Sequence, residues 1–110
     1  MPGFSANLSL LFTEVPLTER FRQAANAGFS TVEVQFPYEM EIAEIRQRLD
    51  RYQLSLDLIN FPAGNWSAGD RGIACDPNRI EEFRRGVDQA IDYATALGCR
   101  QINCLSGIRP

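Results

Sequence analysis

Short runs of apolar and β-branched residues recur along this chain, and each is followed by residues that break regular structure. Runs of this length and composition are typical of strands that are buried on both faces. Pro37 prevents the second run from continuing, and Pro62 comes soon after the third. The pattern therefore predicts four β-strands, at residues 4–12, 31–36, 54–59 and 101–105.

Between these runs, apolar residues recur every three or four positions, which is the spacing of an amphipathic helix. The first such stretch begins at Leu17 and ends before Gly28, because glycine suits the left-handed conformation that often follows a helix. The second covers residues 41–52. The third is the longest, with an apolar stripe over residues 80–97 and a stop at Gly98. Three helices are therefore predicted.

The segment between the third strand and the third helix has no regular period. Residues 62–76 contain three glycines and a tryptophan, and connections of this length often have a functional role. Two starting points for the helix stay open: Asp76 as an N-cap before Pro77, or Asn78 and Glu81 as a capping pair. With either start, a long loop follows the third strand.

The alternation of strands and helices predicts an α/β fold with parallel strands and right-handed helical crossovers. Four such strands make half of a TIM (β/α)₈ barrel, whose complete form needs about 250 residues. They also suit a small doubly wound sheet, and the hydrophobic pattern alone does not separate the two. The length of 110 residues indicates a single domain, from residue 1 to residue 110.

Composition narrows the classes of partner. The net charge of −3 and the pI near 4.9 provide no basic surface for nucleic acid, so a small solute is the expected partner. No stretch approaches the ~20 apolar residues of a membrane span, and no signal peptide is evident, so we expect a cytoplasmic protein. The sequence contains no histidine, which excludes Ser-His and Cys-His nucleophiles and histidine metal ligands in this segment.

Polar residues near the ends of strands are the candidates for ligand binding, because parallel α/β folds bind ligands there. No dinucleotide-binding or Walker glycine motif is present. The amide groups of Asn7 and Asn60 either bind backbone groups locally or contact a substrate. Phe36 is either a core residue or part of a pocket wall. Glu33, in the middle of a strand, suits a structural ion-pair network better than catalysis.

The long loop adds Trp66, Asp70 and Arg71 to the candidates. The simplest interpretation is a tryptophan packed under its own loop and an exposed ion pair, and the alternative is a contribution to the pocket. The three cysteines match no zinc or disulfide spacing, so we expect reduced thiols without a catalytic role.

Four stretches form a more specific pattern. They are Asn-Leu-Ser at 7–9, Phe-Pro-Tyr at 36–38, Asn-Phe-Pro-Ala-Gly-Asn-Trp-Ser-Ala-Gly-Asp-Arg-Gly-Ile-Ala-Cys at 60–75, and Ile-Asn-Cys-Leu at 102–105. In this order they resemble the hydroxypyruvate isomerase family, over essentially the whole chain. Phe61, Asn65 and Asp70 stand where the commoner family form has Leu, Asp and Glu, which are mild departures.

The resemblance implies the N-terminal half of a xylose isomerase-like TIM barrel that interconverts hydroxypyruvate and tartronate semialdehyde through an enediol. In the family, two glutamates on later strands transfer the protons, and a divalent metal, Mg²⁺ or Mn²⁺, can be bound. The resemblance therefore assigns no catalytic residue, metal ligand or cofactor to this segment, which we expect to be inactive alone. It implies these substrate-binding positions: Asn7, Phe36, Asn60, Trp66 and Arg71.

Arg71 is the most attractive of these, because a carboxylate substrate suits a fork of N–H donors. Two other functions stay open. One is isomerisation of a four-carbon acid, a 2-oxo-tetronate. The other is a non-catalytic half-barrel scaffold, and in either case we expect self-association through open sheet edges.

Overall fold

A computed structural model describes residues 4–64, 68–74 and 76–105 of the protein. Within these residues, strands alternate with α-helices along the chain. Two short 3₁₀ turns, Pro37–Glu39 and Pro77–Arg79, precede the second and third helices. The strands are β1 (Ser5–Asn7), β2 (Thr31–Glu33), β3 (Ser55–Asn60) and β4 (Gln101–Asn103), and the helices are α1 (Leu17–Asn26), α2 (Ile42–Arg51) and α3 (Ile80–Leu97).

The strands form one parallel sheet in the order β1-β2-β3-β4. Asn7 of β1 pairs with Glu33 of β2, and Glu33 pairs with Leu58 of β3. Because Val32 pairs with Leu56, an irregularity in β3 leaves Asp57 between these two pairs. A doubly wound sheet reverses its strand order at a switch point, whereas consecutive strands are neighbours in a TIM barrel. The predicted parallel α/β sheet is confirmed, and its strand order is that of half a barrel.

The hydrophobic core lies between the sheet and the helices. Helix α2 contacts both α1 and α3, and α3 contacts β3 and β4. Buried apolar side chains of the strands meet the apolar faces of the helices; they alternate with polar residues in β1 and β2, and the irregularity in β3 separates the buried Leu56 and Ile59 by three positions. Core residues that are essentially inaccessible to solvent include Ala6, Val32, Leu56 and Ile59 from the strands and Phe21, Ile45 and Ala90 from the helices.

The other face of the sheet carries polar side chains. Ser5 and Asn7 of β1, and Thr31 and Glu33 of β2, are half-buried and alternate with buried apolar residues. Successive side chains of a strand point to opposite faces, so these residues lie on the face turned away from the helices. Within the described residues, β1 and β4 each pair along one edge only.

Strand β1 is shorter than the predicted run of residues 4–12. The Asn7 side-chain Oδ1 accepts a hydrogen bond from the Ser9 backbone N–H at 2.9 Å, and the Asn7 carbonyl accepts from Leu11 N–H at 2.9 Å. This local bonding turns the chain immediately after the strand. Leu10 is consequently 67% exposed, so the apolar character of residues 8–12 belongs to a loop.

The helix boundaries match the sequence more closely. Gly28 and Gly98 both adopt positive φ, at 96° and 66°, which confirms them as helix-ending positions. The Asp76 side chain accepts from Asn78 N–H at 2.9 Å, so Asp76 caps the 3₁₀ turn that leads into α3. The apolar stripe of α3 is wider than its buried face, since Ile91 is 48% exposed. In the described part of the chain, no helix is long and apolar enough to cross a membrane.

Candidate functional site

A cleft of about 740 Å³ opens at the carboxyl ends of the strands. The loops that follow β1, β2 and β3 form its sides, and one turn of α1 and one of α3 contribute as well. Its lining combines uncharged polar side chains with apolar residues, one arginine and one glutamate. The side chains relevant to ligand binding are Ser9, Arg20, Gln35, Phe36, Tyr38 and Gln89.

The β1–α1 loop is fixed on one side of this cleft by bonds to the loop after β2 and to α1. The Ser9 hydroxyl accepts a hydrogen bond from Gln35 N–H at 3.0 Å. Arg20 donates from Nη1 to the Leu8 carbonyl at 2.9 Å and from Nε to the Val15 carbonyl at 2.8 Å. The guanidinium group of Arg20 therefore holds both ends of the loop, and its partners in the described part of the chain are backbone carbonyls.

Two tyrosines support the opposite side. The Tyr38 hydroxyl donates to the Asn60 carbonyl, and the Tyr93 hydroxyl donates to the Met40 carbonyl at 2.7 Å. The two rings meet edge to face, with centroids 5.1 Å apart. Burial raises the pKa of Tyr38 well above its usual value, with smaller contributions from Cys99 and Tyr93, so its phenol stays protonated and remains a donor.

The loop after β3 is tied to the start of α3 by charge. Arg79 Nη2 lies 2.9 Å from Asp70 Oδ2 and 2.8 Å from Glu82 Oε2. The hydrogen bond with Arg79 lowers the pKa of Glu82. Farther along the loop, Gly72 N–H donates to the Ala63 carbonyl at 2.9 Å. These contacts fix the loop at the rim of the cleft.

The residues predicted from sequence are distributed unevenly around the cleft. Phe36 lines it, and Asn60 is buried beside it, with a carbonyl that accepts from Tyr38. The Asn7 amide is engaged by the Ser9 backbone. Arg71 is exposed, and its Nη1 donates to the Asp70 carbonyl at 2.8 Å. Trp66 lies outside the described residues.

Sequence reasoning missed Arg20 and Gln89, which both line the cleft from helices. Each occupies a helix position that the hydrophobic pattern assigns to the solvent side. One feature of the sequence points to the location of Arg20: it directly precedes the buried Phe21 and so lies at the border of the apolar stripe of α1. Among the described residues, no group of three or more Asp, Glu, Cys or His side chains is placed to bind a metal ion.

Comparisons with known proteins agree with this geometry. The family model described as "Xylose isomerase-like TIM barrel" matches residues 21–110. Hydroxypyruvate isomerase from Escherichia coli is 54% identical over the whole chain, which covers 43% of that protein. A 2-oxo-tetronate isomerase from Pectobacterium atrosepticum is 44% identical over the whole chain and is 42% covered.

Among solved structures, the chain superimposes on one described as AP endonuclease, family 2, from Brucella melitensis. The TM-score is 0.93 at 50% identity, over 98% of this chain and 42% of that one. The chain thus spans less than half the length of the relatives it matches. The predicted half-barrel architecture is confirmed, and the chain belongs to the xylose isomerase-like TIM-barrel family.

Proposed function

We propose that this chain forms the first four strands of an isomerase that interconverts hydroxypyruvate and tartronate semialdehyde. The main support is a polar cleft at the carboxyl ends of β1, β2 and β3, the edge at which TIM barrels bind substrates. The 54% identity with a hydroxypyruvate isomerase extends over all of the residues that build this cleft.

The reaction moves a carbonyl group between adjacent carbons. A proton leaves C3 of hydroxypyruvate and O2 gains a proton, which gives an enediol; a proton is then added at C2 while the hydroxyl on C3 loses its proton and becomes the aldehyde carbonyl. This chemistry needs an acid and a base beside the reacting carbons and a positive or hydrogen-bonding group near the developing oxyanion. Gln35, Gln89 and Arg20 supply the second kind of group, as donors that orient oxygen atoms.

The proton-transferring groups are expected elsewhere in the barrel. The family resemblance assigns them to glutamates on later strands, and the only carboxylate that lines the described cleft is Glu39, on its exposed rim. Amide, hydroxyl and guanidinium groups are also a poor ligand set for a divalent ion, which prefers carboxylates. The proposed role of this segment is therefore to bind and orient the substrate.

The test uses the protein encoded by the open reading frame that contains these 110 residues. Proton NMR in D₂O follows exchange at C3 of hydroxypyruvate and the appearance of tartronate semialdehyde. Catalysed exchange and interconversion are expected. A protein that folds as a barrel but catalyses neither would refute the proposal.

Isomerisation of a 2-oxo-tetronate is the second candidate. Relatives of that name, from Pectobacterium atrosepticum, Haemophilus influenzae and Cupriavidus necator, are 41–44% identical to the chain. The shape of the described cleft does not distinguish a three-carbon from a four-carbon acid, so the ratio of kcat/KM for the two acids decides between them. A ratio in favour of the four-carbon acid would assign this second function.

We also infer that the isolated chain self-associates in the cytoplasm. The edges of β1 and β4 are unpaired in the described sheet, and apolar side chains such as Phe4 (70% exposed) and Ile80 (49% exposed) lie at the surface. If the segment is a non-catalytic half-barrel scaffold, it should self-associate and show no isomerase activity. Cys99 and Cys104 are free thiols, which is consistent with a reducing compartment.

A further inference from the structure

Within the described residues, the guanidinium group of Arg20 is held by backbone carbonyls and not by a carboxylate. Its Nε and Nη1 atoms donate to the carbonyls of Val15 and Leu8, at 2.8 and 2.9 Å. A guanidinium group has five N–H donors in one plane, so two bonds fix the plane and leave further donors available. Because both acceptors belong to the backbone of the same loop, the group is already in position before a ligand arrives.

The charge of Arg20 is not neutralised by the part of the chain that the structure describes. Ion pairs there involve Arg22, Arg79 and Arg84, and Arg79 has two carboxylate partners. Arg20 is half-buried, and its hydrogen-bond partners among the described residues are neutral carbonyls. A partly desolvated cation of this kind favours binding of an anion, because the anion restores the interactions that water no longer provides.

The surroundings of Arg20 match a small oxo acid. Arg20, Ser9, Gln35 and Gln89 line the same cleft, where amide and hydroxyl groups are suited to neutral oxygen atoms. Glu39 also lines the cleft but is exposed at its rim. The molecule that fits this set has one carboxylate and adjacent carbonyl or hydroxyl groups.

We propose that Arg20 binds the carboxylate of the substrate, and that the amide-bearing residues of the cleft bind its carbonyl and hydroxyl oxygens. This proposal rests on the proposed isomerase function and refines it. It gives Arg20 the role that the sequence suggested for Arg71, whose guanidinium is exposed on the loop after β3.

The test measures the affinity of the protein encoded by the complete open reading frame for two probes by calorimetry. Hydroxypyruvate carries the carboxylate, and dihydroxyacetone has a neutral hydroxymethyl group in its place. Arg20→Gln should weaken hydroxypyruvate binding at least about tenfold, as expected for the loss of a charge-assisted hydrogen bond, and should change dihydroxyacetone binding less than about twofold. Arg22→Gln is the matched control, because Arg22 is on the same helix but exposed and paired with Glu19.

A measurement on the parent protein covers the case in which Arg20→Gln does not fold. In ¹H–¹⁵N spectra, the Nε–Hε resonance of Arg20 should shift saturably with hydroxypyruvate and remain unchanged with dihydroxyacetone. A static Arg20 resonance, an absence of saturable hydroxypyruvate binding, or equal effects of Arg20→Gln and Arg22→Gln would overturn the proposal. A tenfold loss of affinity in Arg71→Ala with none in Arg20→Gln would return the role to Arg71.

The isomerase proposal and the carboxylate-site proposal can be refuted independently of each other. If hydroxypyruvate binds through Arg20 but is not isomerised, the isomerase proposal is wrong and the carboxylate site stands. If isomerisation proceeds with an unchanged KM in Arg20→Gln, the activity stands and the carboxylate site is wrong.

Discussion

Three glycines in the loop after β3 differ in what surrounds them, and this difference predicts a ranked series of alanine substitutions. Gly64, Gly69 and Gly72 all have positive φ, at 86°, 103° and 110°. A Cβ atom at Gly69 would meet nothing within 4 Å. At Gly64 it would lie 2.4 Å from Asp70 Oδ2, and at Gly72 it would lie 2.0 Å from the backbone oxygen of Leu105.

These distances determine the expected magnitudes. Gly69→Ala adds only the backbone cost of a left-handed alanine, about 1–2 kcal/mol. Gly64→Ala adds overpacking to that cost, for a total of about 2–5 kcal/mol, because the Cβ would come within 2.8 Å of Arg79 Nη2 and Ile73 Cγ2 as well, so the Asp70–Arg79 pair and the Ile73 side chain would have to shift. Gly72→Ala should be the most damaging, since a backbone oxygen cannot be moved by a rotamer change.

The assay is urea unfolding of the full-length protein, combined with limited proteolysis of the loop. Proteolysis is included because local opening could relieve the strain without lowering the global free energy of unfolding. In the free energy of unfolding, in resistance to proteolysis, or in both, we expect the largest loss for Gly72→Ala, a smaller loss for Gly64→Ala and the smallest for Gly69→Ala. Equal behaviour of Gly64→Ala and Gly69→Ala in both measures would refute the claim that close packing under this loop fixes the rim of the cleft.

Three further predictions follow from the edges, the composition and the charges of the chain. Residues 1–110 alone should not isomerise hydroxypyruvate with or without Mg²⁺ or Mn²⁺, and turnover above that of a mock purification would show that catalytic groups lie within the segment. Light scattering of the isolated segment should give a dimer or larger species, whereas a monodisperse 12.4 kDa monomer with a sharp melt would contradict the role of the open edges. Because the pKa of Glu82 is lowered by Arg79, its contribution to stability is complete above the unfolded pKa near 4.3 and is lost as the pH falls through the folded value. Glu82→Gln should therefore reduce the acid dependence of unfolding slightly, since the pair is partly exposed, and an unchanged pH profile would contradict the pairing.

The secondary structure could be predicted where one local interaction dominates. Gly28 and Gly98 end helices because positive φ is unfavourable for other residues, and this preference is visible in the sequence. The hydrophobic pattern places the end of β1 too late, because the apolar run continues through Leu10 and Leu11. The turn that ends the strand is fixed by hydrogen bonds to the Asn7 side chain and carbonyl. An asparagine within an apolar run does not by itself reveal whether its amide will bond to the backbone two residues later.

The site could be predicted only in part, for a different reason. The sequence predicts Phe36 and Asn60 near a site because each lies at the end of a predicted strand; in the structure Phe36 lines the cleft from the loop after β2, and Asn60 is buried at the end of β3. Arg20 could not be found in this way, because its function as a fixed donor depends on two carbonyls, one of which is 12 residues away. Arg48, which donates to the Thr18 carbonyl at 2.8 Å, is another helix arginine whose partner is a backbone atom outside its own helix. Because these arginines bind backbone carbonyls, no residue type in the sequence reveals their partners.

In the proposed isomerase, the described half of the barrel is expected to form one side of the reaction site. The helices cover one face of the sheet, while the face with Asn7 and Glu33 is free of them. An isomerisation through an enediol needs groups that transfer protons and groups that hold the oxygen atoms in place. The cleft contains neutral donors and the cation of Arg20, which suit the binding of oxygen atoms, and Glu39 is the one carboxylate that lines it among the described residues, at the exposed rim. Substrate orientation and proton transfer are therefore expected to come from different halves of the barrel, and Arg20→Gln should raise KM for hydroxypyruvate more than it lowers kcat.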